Sequence, residues 1–289
     1  MSIEVKNINH IYAEGLPFET VALHDVSFTV DDGEFVGIIG HTGSGKSTLL
    51  QHLNGLLKPG SGEIVIDGTV ITSNDVKMTE IRKKVGLVFQ YPEYQLFEET
   101  VEKDVAFGPK NLGIYGEELG KAVKESIELV GLDYERIKDR SPFDLSGGQK
   151  RRVAIAGVIA MKPKILILDE PTAGLDPKAH MELLDTIKKL HKEENMTIIF
   201  VSHNMDDIVK LSDRVMVLVD GNLVMNDKSV NVFTRWEELK EIGLNVPQIT
   251  EFMKGLEKRD SRINGNVFSI QDAAKSIKKY IDNKRQDTL

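Results

Sequence analysis

The chain has 289 residues, 40% of them apolar and 28% charged, with a formal net charge of −8 and no cysteine. That length buries one substantial α/β core with about 65 residues to spare, while the acidic balance excludes a nucleic-acid backbone or an anionic lipid surface as the principal ligand. The missing thiols exclude disulfides and thiolate metal sites and suit a cytosolic setting.

In chain order, the N-terminal strands run to about residue 35, and Phe35 to Ile39 then reads as a short buried strand. It leads straight into Gly40, His41, Thr42, Gly43, Ser44, Gly45, Lys46, Ser47 and Thr48, which fit the pattern Gly, four residues, Gly-Lys-Ser of a phosphate-binding loop. The glycines allow the backbone to wrap a polyphosphate with its N–H groups inward. Lys46 adds charge for the β- and γ-phosphates, Ser47 offers a hydroxyl to Mg²⁺, and the following helix contributes its positive end.

A second buried strand, 85 to 89, ends at Gln90, and a helical insert follows from about 100 to 160, with helical spacing from Glu117 to Val130. Within the segment after Gln90, Tyr94, Leu96, Phe97, Val101 and Val105 are expected to form an apolar surface. Glu93, Glu98, Glu99, Glu102 and Asp104 would rim it, a groove suited to a basic amphipathic helix; a solvated acidic helix face is the plainer alternative. The insert closes on Leu145, Ser146, Gly147, Gly148 and Gln149, read as a helix start with exposed amides. One nucleotide has one γ-phosphate, so a second anion site points to a nucleotide held by another subunit, with ATP as the adhesive of a dimer. A generic Ser-Gly-Gly helix start stays open as the ordinary reading.

The run Ile165 to Leu168 delivers Asp169 and Glu170 to the carboxyl edge of a parallel sheet, where ligands of open α/β folds sit. Asp169 is placed to hold Mg²⁺, in part through water, and Glu170 to polarise the water attacking the γ-phosphorus. A further strand, 197 to 201, precedes His203, and Arg214 to Leu218 is one more. From Asn226 the chain changes character. Trp236, Leu239 and Ile242 are spaced like a helix, Gly243 and Pro247 are breaks, and a last helix is capped by Ser269 and Asp272. Its apolar face is expected to be Ile270, Ala273, Ala274, Ile277 and Ile281. No apolar run approaches the roughly 20 residues of a membrane span, and no leader segment is expected before the first strand.

These motifs, in this order, resemble the nucleotide-binding subunits of ATP-binding cassette (ABC) transporters over residues 1 to about 225. The resemblance implies an adenine-stacking role for Tyr12, a glutamine-loop role for Gln90, an ABC signature at Ser146, Gly147, Gly148 and Gln149 that reaches the partner's ATP, a D-loop at Asp176 and a switch role for His203. On their own, Tyr12 and His203 are equally readable as a partly buried aromatic and a surface-edge histidine. The stretch from Gln90 to Pro109 is further similar to the ATPases of energy-coupling factor (ECF) transporters, specifically the second of their two non-identical ATPases. An α/β P-loop fold is implied, with an N-terminal antiparallel β-subdomain, a mostly parallel sheet, a helical subdomain and a helical extension over 226–289. So are ATP hydrolysis with Mg²⁺, a second ABC ATPase in a heterodimer, a transmembrane coupling protein and a substrate-binding membrane subunit. The chain would then sit peripherally on the cytoplasmic face of the cell membrane, without nucleic acid or a lipid anchor of its own. An ATPase of a solute-binding-protein-dependent importer is the alternative.

Overall fold

In the computed structural model, which describes residues 2–286, two sheets form the frame. The chain begins with β1 (Ile3–Tyr12), β2 (Thr20–Val30), β3 (Phe35–Ile39), α1 (Lys46–Leu53), β4 (Ser61–Ile66), β5 (Thr69–Val70), α2 (Met78–Lys84) and β6 (Val85–Val88). Four helices follow: α3 (Val101–Asn111), α4 (Gly116–Leu129), α5 (Tyr134–Ile137) and α6 (Gly147–Ile159). The chain then returns to the sheet through β7 (Ile165–Asp169), α7 (Pro177–Glu193), β8 (Thr197–Val201), α8 (Met205–Leu211), β9 (Arg214–Val219) and β10 (Asn222–Lys228). It closes with α9 (Ser229–Thr234), α10 (Trp236–Glu241), α11 (Gln248–Glu257) and α12 (Ile270–Gln286).

One sheet has four antiparallel strands in the order β2-β1-β4-β5; the other has six, β10-β9-β3-β8-β7-β6, parallel throughout except for β10. Strands β3, β7 and β8 are buried at every residue, as a parallel sheet covered on both faces requires. Alternation divides their side chains cleanly: Phe35, Ile39, Leu166 and Leu168 join the core beneath α3, α4, α6 and α7. Val36, Ile38, Ile165 and Ile167 face α1 and the antiparallel sheet. The carboxyl ends of β3, β6, β7 and β8 therefore open onto one edge, where the phosphate loop, Gln90, Glu170 and His203 follow their strands.

After β10 the helices divide into two packing groups. Val232, Phe233, Leu239, Leu244 and Val246 are buried in the main core, whereas Met253, Ile263, Val267 and Ala273 make a small core of their own under α11 and α12. Ser269 caps α12, its hydroxyl accepting from the Asp272 N–H at 3.1 Å. The apolar face expected on this helix needs correction. Ala273, Ile277 and Tyr280 pack inward, while Ile270 is 72% exposed and Ala274 and Ile281 also face solvent. The buried stripe is narrower because only residues at 273, 277 and 280, on one line of the helix, meet the small core.

Candidate active site

The phosphate loop is shaped by close approach. Gly45 takes a left-handed φ of 96°, and a Cβ there would lie 2.2 Å from the Ala22 carbonyl oxygen, so no other residue fits. The Lys46 ammonium, nearly buried, donates to the Gly40 and His41 carbonyls at 2.8 and 2.7 Å, which ties the loop to its own first helical residue. Burial pulls its pKa below the usual lysine range, and the carboxylates of Glu170 and Asp169 oppose that. Gly45 precedes α1 with no side-chain cap, so the helix presents its first amides toward the loop's interior. On the outer wall the Tyr12 hydroxyl meets Thr48 Oγ1 at 3.2 Å and its ring stands edge-on to His10 at 4.5 Å, leaving the aromatic half-exposed beside the loop.

The carboxylates sit directly opposite. Ser47 Oγ donates to Asp169 Oδ2 at 2.9 Å, and burial pushes the Asp169 carboxyl above its usual range while the serine opposes the shift. A buried acid wanting a counter-charge, beside a hydroxyl oxygen, is a hard-oxygen pair that fits Mg²⁺. Among the described residues no cluster of three acidic or imidazole groups makes a full protein cage; the remaining ligands of such an ion would come from substrate phosphates and water. Glu170 follows with a left-handed φ of 49°, a conformation costing about 1 kcal/mol or more, and its N–H donates to the Val201 carbonyl at 3.0 Å. That kink turns the side chain to where Gln90 Nε2 donates to Oε2 at 3.1 Å and His203 Nε2 lies 2.8 Å from Oε1. Two residues more than a hundred positions apart in sequence thus converge on one carboxylate.

The signature segment lies elsewhere. Ser146 caps α6, its hydroxyl accepting from the Gln149 N–H at 3.4 Å while Gln149 Oε1 accepts from the Ser146 N–H at 3.1 Å. Asp176 caps α7 by accepting from the N–H groups of Lys178 and Ala179, each at 3.0 Å. Both side chains have local helix-capping work, and neither reaches the chain's own phosphate loop.

A family model described as "ABC transporter" matches residues 23–173. The energy-coupling factor transporter ATP-binding protein EcfA2 of Clostridium tetani is 57% identical over 98% of this chain and 99% of its own length; the corresponding protein of Clostridium perfringens is 58% identical over 98% and 99%. This chain is an ABC transporter ATPase of the energy-coupling factor group. Among solved structures, cbiO1 from Clostridium perfringens, part of the ABC transporter complex cbiONQ, aligns with a TM-score of 0.74 and 38% identity over 87% of this chain and 98% of that one. The dimeric ATP-binding cassette MJ0796 in a post-hydrolysis state with ADP and Pi aligns at 0.69 and 33%, over 78% and 98%. The fold expected from the motifs and the hydrolysis of ATP coupled to transport stand accordingly.

Two features of this ABC ATPase escaped the sequence. Arg151, on the helix that follows the signature, is 1% exposed. It forks onto Glu93 at 3.0 and 2.6 Å, donates to the carbonyls of Pro171 and Ala173 at 2.8 and 2.6 Å, and stacks on Tyr91. It thereby joins α6 to the segment after Gln90 and to the loop after Glu170. No signal in the sequence marks this pairing, because Arg151 and Glu93, three residues past Gln90, meet only in the folded chain. The second feature corrects the acidic groove. Leu96, Val101 and Val105 are core residues, Glu93 is consumed by Arg151, Asp104 caps the Phe97 and Glu98 N–H groups, Glu102 accepts from Tyr134, and Glu99 pairs with Lys103. The surface that remains is aromatic, with Tyr94 83% and Phe97 57% exposed and the Phe97 ring edge-on to Phe107.

Proposed function

We propose that this chain is the second ATPase of a two-ATPase energy-coupling factor importer. It pairs with a different ABC cassette, and closure of the pair on ATP drives uptake of a vitamin or a transition-metal ion through a transmembrane coupling protein and a substrate-binding membrane subunit. The chain rests on the cytoplasmic face of the cell membrane through those proteins, and among the described residues no helix is long and apolar enough to cross a bilayer. The cassette, expected over residues 1–225, runs on through β10 to Lys228, the helices of the extension expected over 226–289 begin at Ser229, and residues 287–289 lie outside the described residues. The exposed Tyr94, Phe97 and Phe107, with Glu98 beside them, are the seat for a helix of the coupling protein.

In hydrolysis, water attacks the γ-phosphorus, the bond from that phosphorus to the β–γ bridging oxygen breaks, and ADP leaves with the electron pair. Glu170 polarises the water and receives its proton. Gln90 and His203 hold the two carboxylate oxygens in place, Lys46 follows the γ-phosphoryl charge, and Tyr12 stacks on adenine. Bound Mg²⁺, held by Ser47, Asp169 and Gln90 partly through water, supplies charge neutralisation on the phosphates. Ser146, Gly147 and Gly148 complete the site of the partner, and Asp176 lies at that junction.

The observation that carries this reading is the Glu170 carboxylate, with one oxygen toward Gln90 and the other toward His203. Glu170→Gln is the test: ATP binding persists, turnover collapses, and the variant accumulates with ATP in a closed pair with its partner ATPase. Turnover at the wild-type rate would remove Glu170 from the role assigned.

A further inference from the structure

Among the side chains of the phosphate loop, His41 alone reaches into the C-terminal helices among the contacts the structure shows there. Its Nε2 lies 2.6 Å from the Ile242 carbonyl oxygen, so the imidazole donates and the carbonyl accepts. Ile242 is the C-cap of α10, whose last carbonyls have no partner further along the helix. Gly243 turns the chain there with φ 74°, its N–H returning to the Lys240 carbonyl at 2.9 Å and the Leu244 N–H to Leu239 at 2.8 Å. A Cβ at 243 would be strained and would lie 3.2 Å from both Cε1 and Nε2 of the His41 ring, so glycine is what lets the ring seat against the turn. The turn itself is fixed, because Leu239 before it and Leu244 and Val246 after it are buried in the main core. A second outer anchor reinforces the pattern: the Gly221 N–H, in the turn between β9 and β10, donates to the Ser44 carbonyl at 3.2 Å. The loop's inner side is held by Lys46 and its tip by backbone from the C-terminal third of the chain.

We infer that the C-terminal extension is a positioning element of the ATP site, with the Ile242 carbonyl and Gly243 setting the phosphate loop for nucleotide through His41. The inference rests on residues 40–48 binding ATP. It makes the extension thermodynamically linked to the nucleotide: whatever shifts the α10 turn shifts ATP affinity, and ATP shifts the turn by the same factor. Lys240, on the same turn, forms an ion pair with Glu251 of α11, so the small core beyond is joined to this lever.

The test is a double-mutant cycle on the full chain in a Glu170→Gln background, with ATP and Mg²⁺ titrated by calorimetry and the thermal midpoint without nucleotide recorded for each variant. His41→Ala and Gly243→Val should each weaken ATP binding about three- to tenfold, the value of one hydrogen bond with its positioning. The double variant should bind no more weakly than the worse single, and His41→Gln, which keeps an N–H donor, should recover affinity over His41→Ala. Unchanged affinity in Gly243→Val with an unshifted midpoint, or losses that multiply in the double variant, would overturn the inference. Failure of the parent protein to bind ATP at all would instead overturn the assignment of the loop.

Discussion

The phosphate-loop half of the molecule and the signature half teach opposite lessons about what one chain can complete. Around Lys46, Asp169 and Glu170 almost every polar group already has a partner: lysine on loop carbonyls, Ser47 on Asp169, Gln90 and His203 on Glu170. That half is pre-organised to exchange internal contacts for a triphosphate. Among the described residues, Ser146 and Gln149 make the helix cap, and Gly147 has open space where a Cβ would stand. A helix start with this much local order suits the proposed role of completing a site on a partner.

The largest effects should fall on the first half. Glu170→Gln should lower ATP turnover by about 10²- to 10⁴-fold, the usual contribution of a positioned base, with nucleotide affinity kept within a few-fold. Lys46→Ala should weaken nucleotide binding by about a hundredfold or more in a filter or calorimetric assay. Retention of tight binding would mean that the loop's amides alone hold the phosphates.

Adjacent glycines sharpen the contrast on the other half. A Cβ on Gly148 would stand 2.9 Å from the Ala179 Cβ, so Gly148→Ala should destabilise the isolated chain by about 1–3 kcal/mol through overpacking against α7. Gly147→Ala meets open space and should leave monomer stability within about 0.5 kcal/mol while lowering turnover of the assembled pair. Equal stability losses in chemical denaturation would show that both glycines serve only this chain's packing.

Acid should loosen the phosphate-loop half before the signature helix. His52, on α1, is fully buried with Nδ1 on the Leu57 carbonyl at 3.1 Å and Nε2 without a partner. Burial, helped by the nearby His10, pushes its pKa down to about 4. The folded state thus refuses a proton that the unfolded chain accepts near pH 6.5, so this contribution to stability is present above about 6.5 and is lost as pH falls toward 4. His52→Gln should flatten the stability profile over that window, by at most about 1.4 kcal/mol per pH unit; an unchanged slope would assign the acid sensitivity to other groups.

The sequence made the phosphate-loop half legible because its chemistry is local. Gly40 to Thr48 and Ile165 to Glu170 each carry strand, turn and functional group in one contiguous run, so spacing alone predicts the fold and the role. What stayed hidden depends on contacts between distant segments. Nothing beside Arg151 in sequence reveals the Glu93 carboxylate and the two carbonyls that bind it. The acidic residues after Gln90 looked free for the same reason, and four of the five are bound within the chain. The extension's division into a part buried in the main core and a part with its own core follows from which apolar residues meet, and periodicity within one helix does not encode that.

In the proposed pairing, the signature half serves an ATP held by a different ATPase. The direct measurement is the solution mass of the Glu170→Gln chain with ATP and Mg²⁺, first alone and then with a candidate second ATPase. That pairing predicts a monomer in the first case and an ATP-dependent pair in the second, abolished when Gly147→Asp is introduced. A doubling of mass on ATP alone would contradict it and make this chain its own partner.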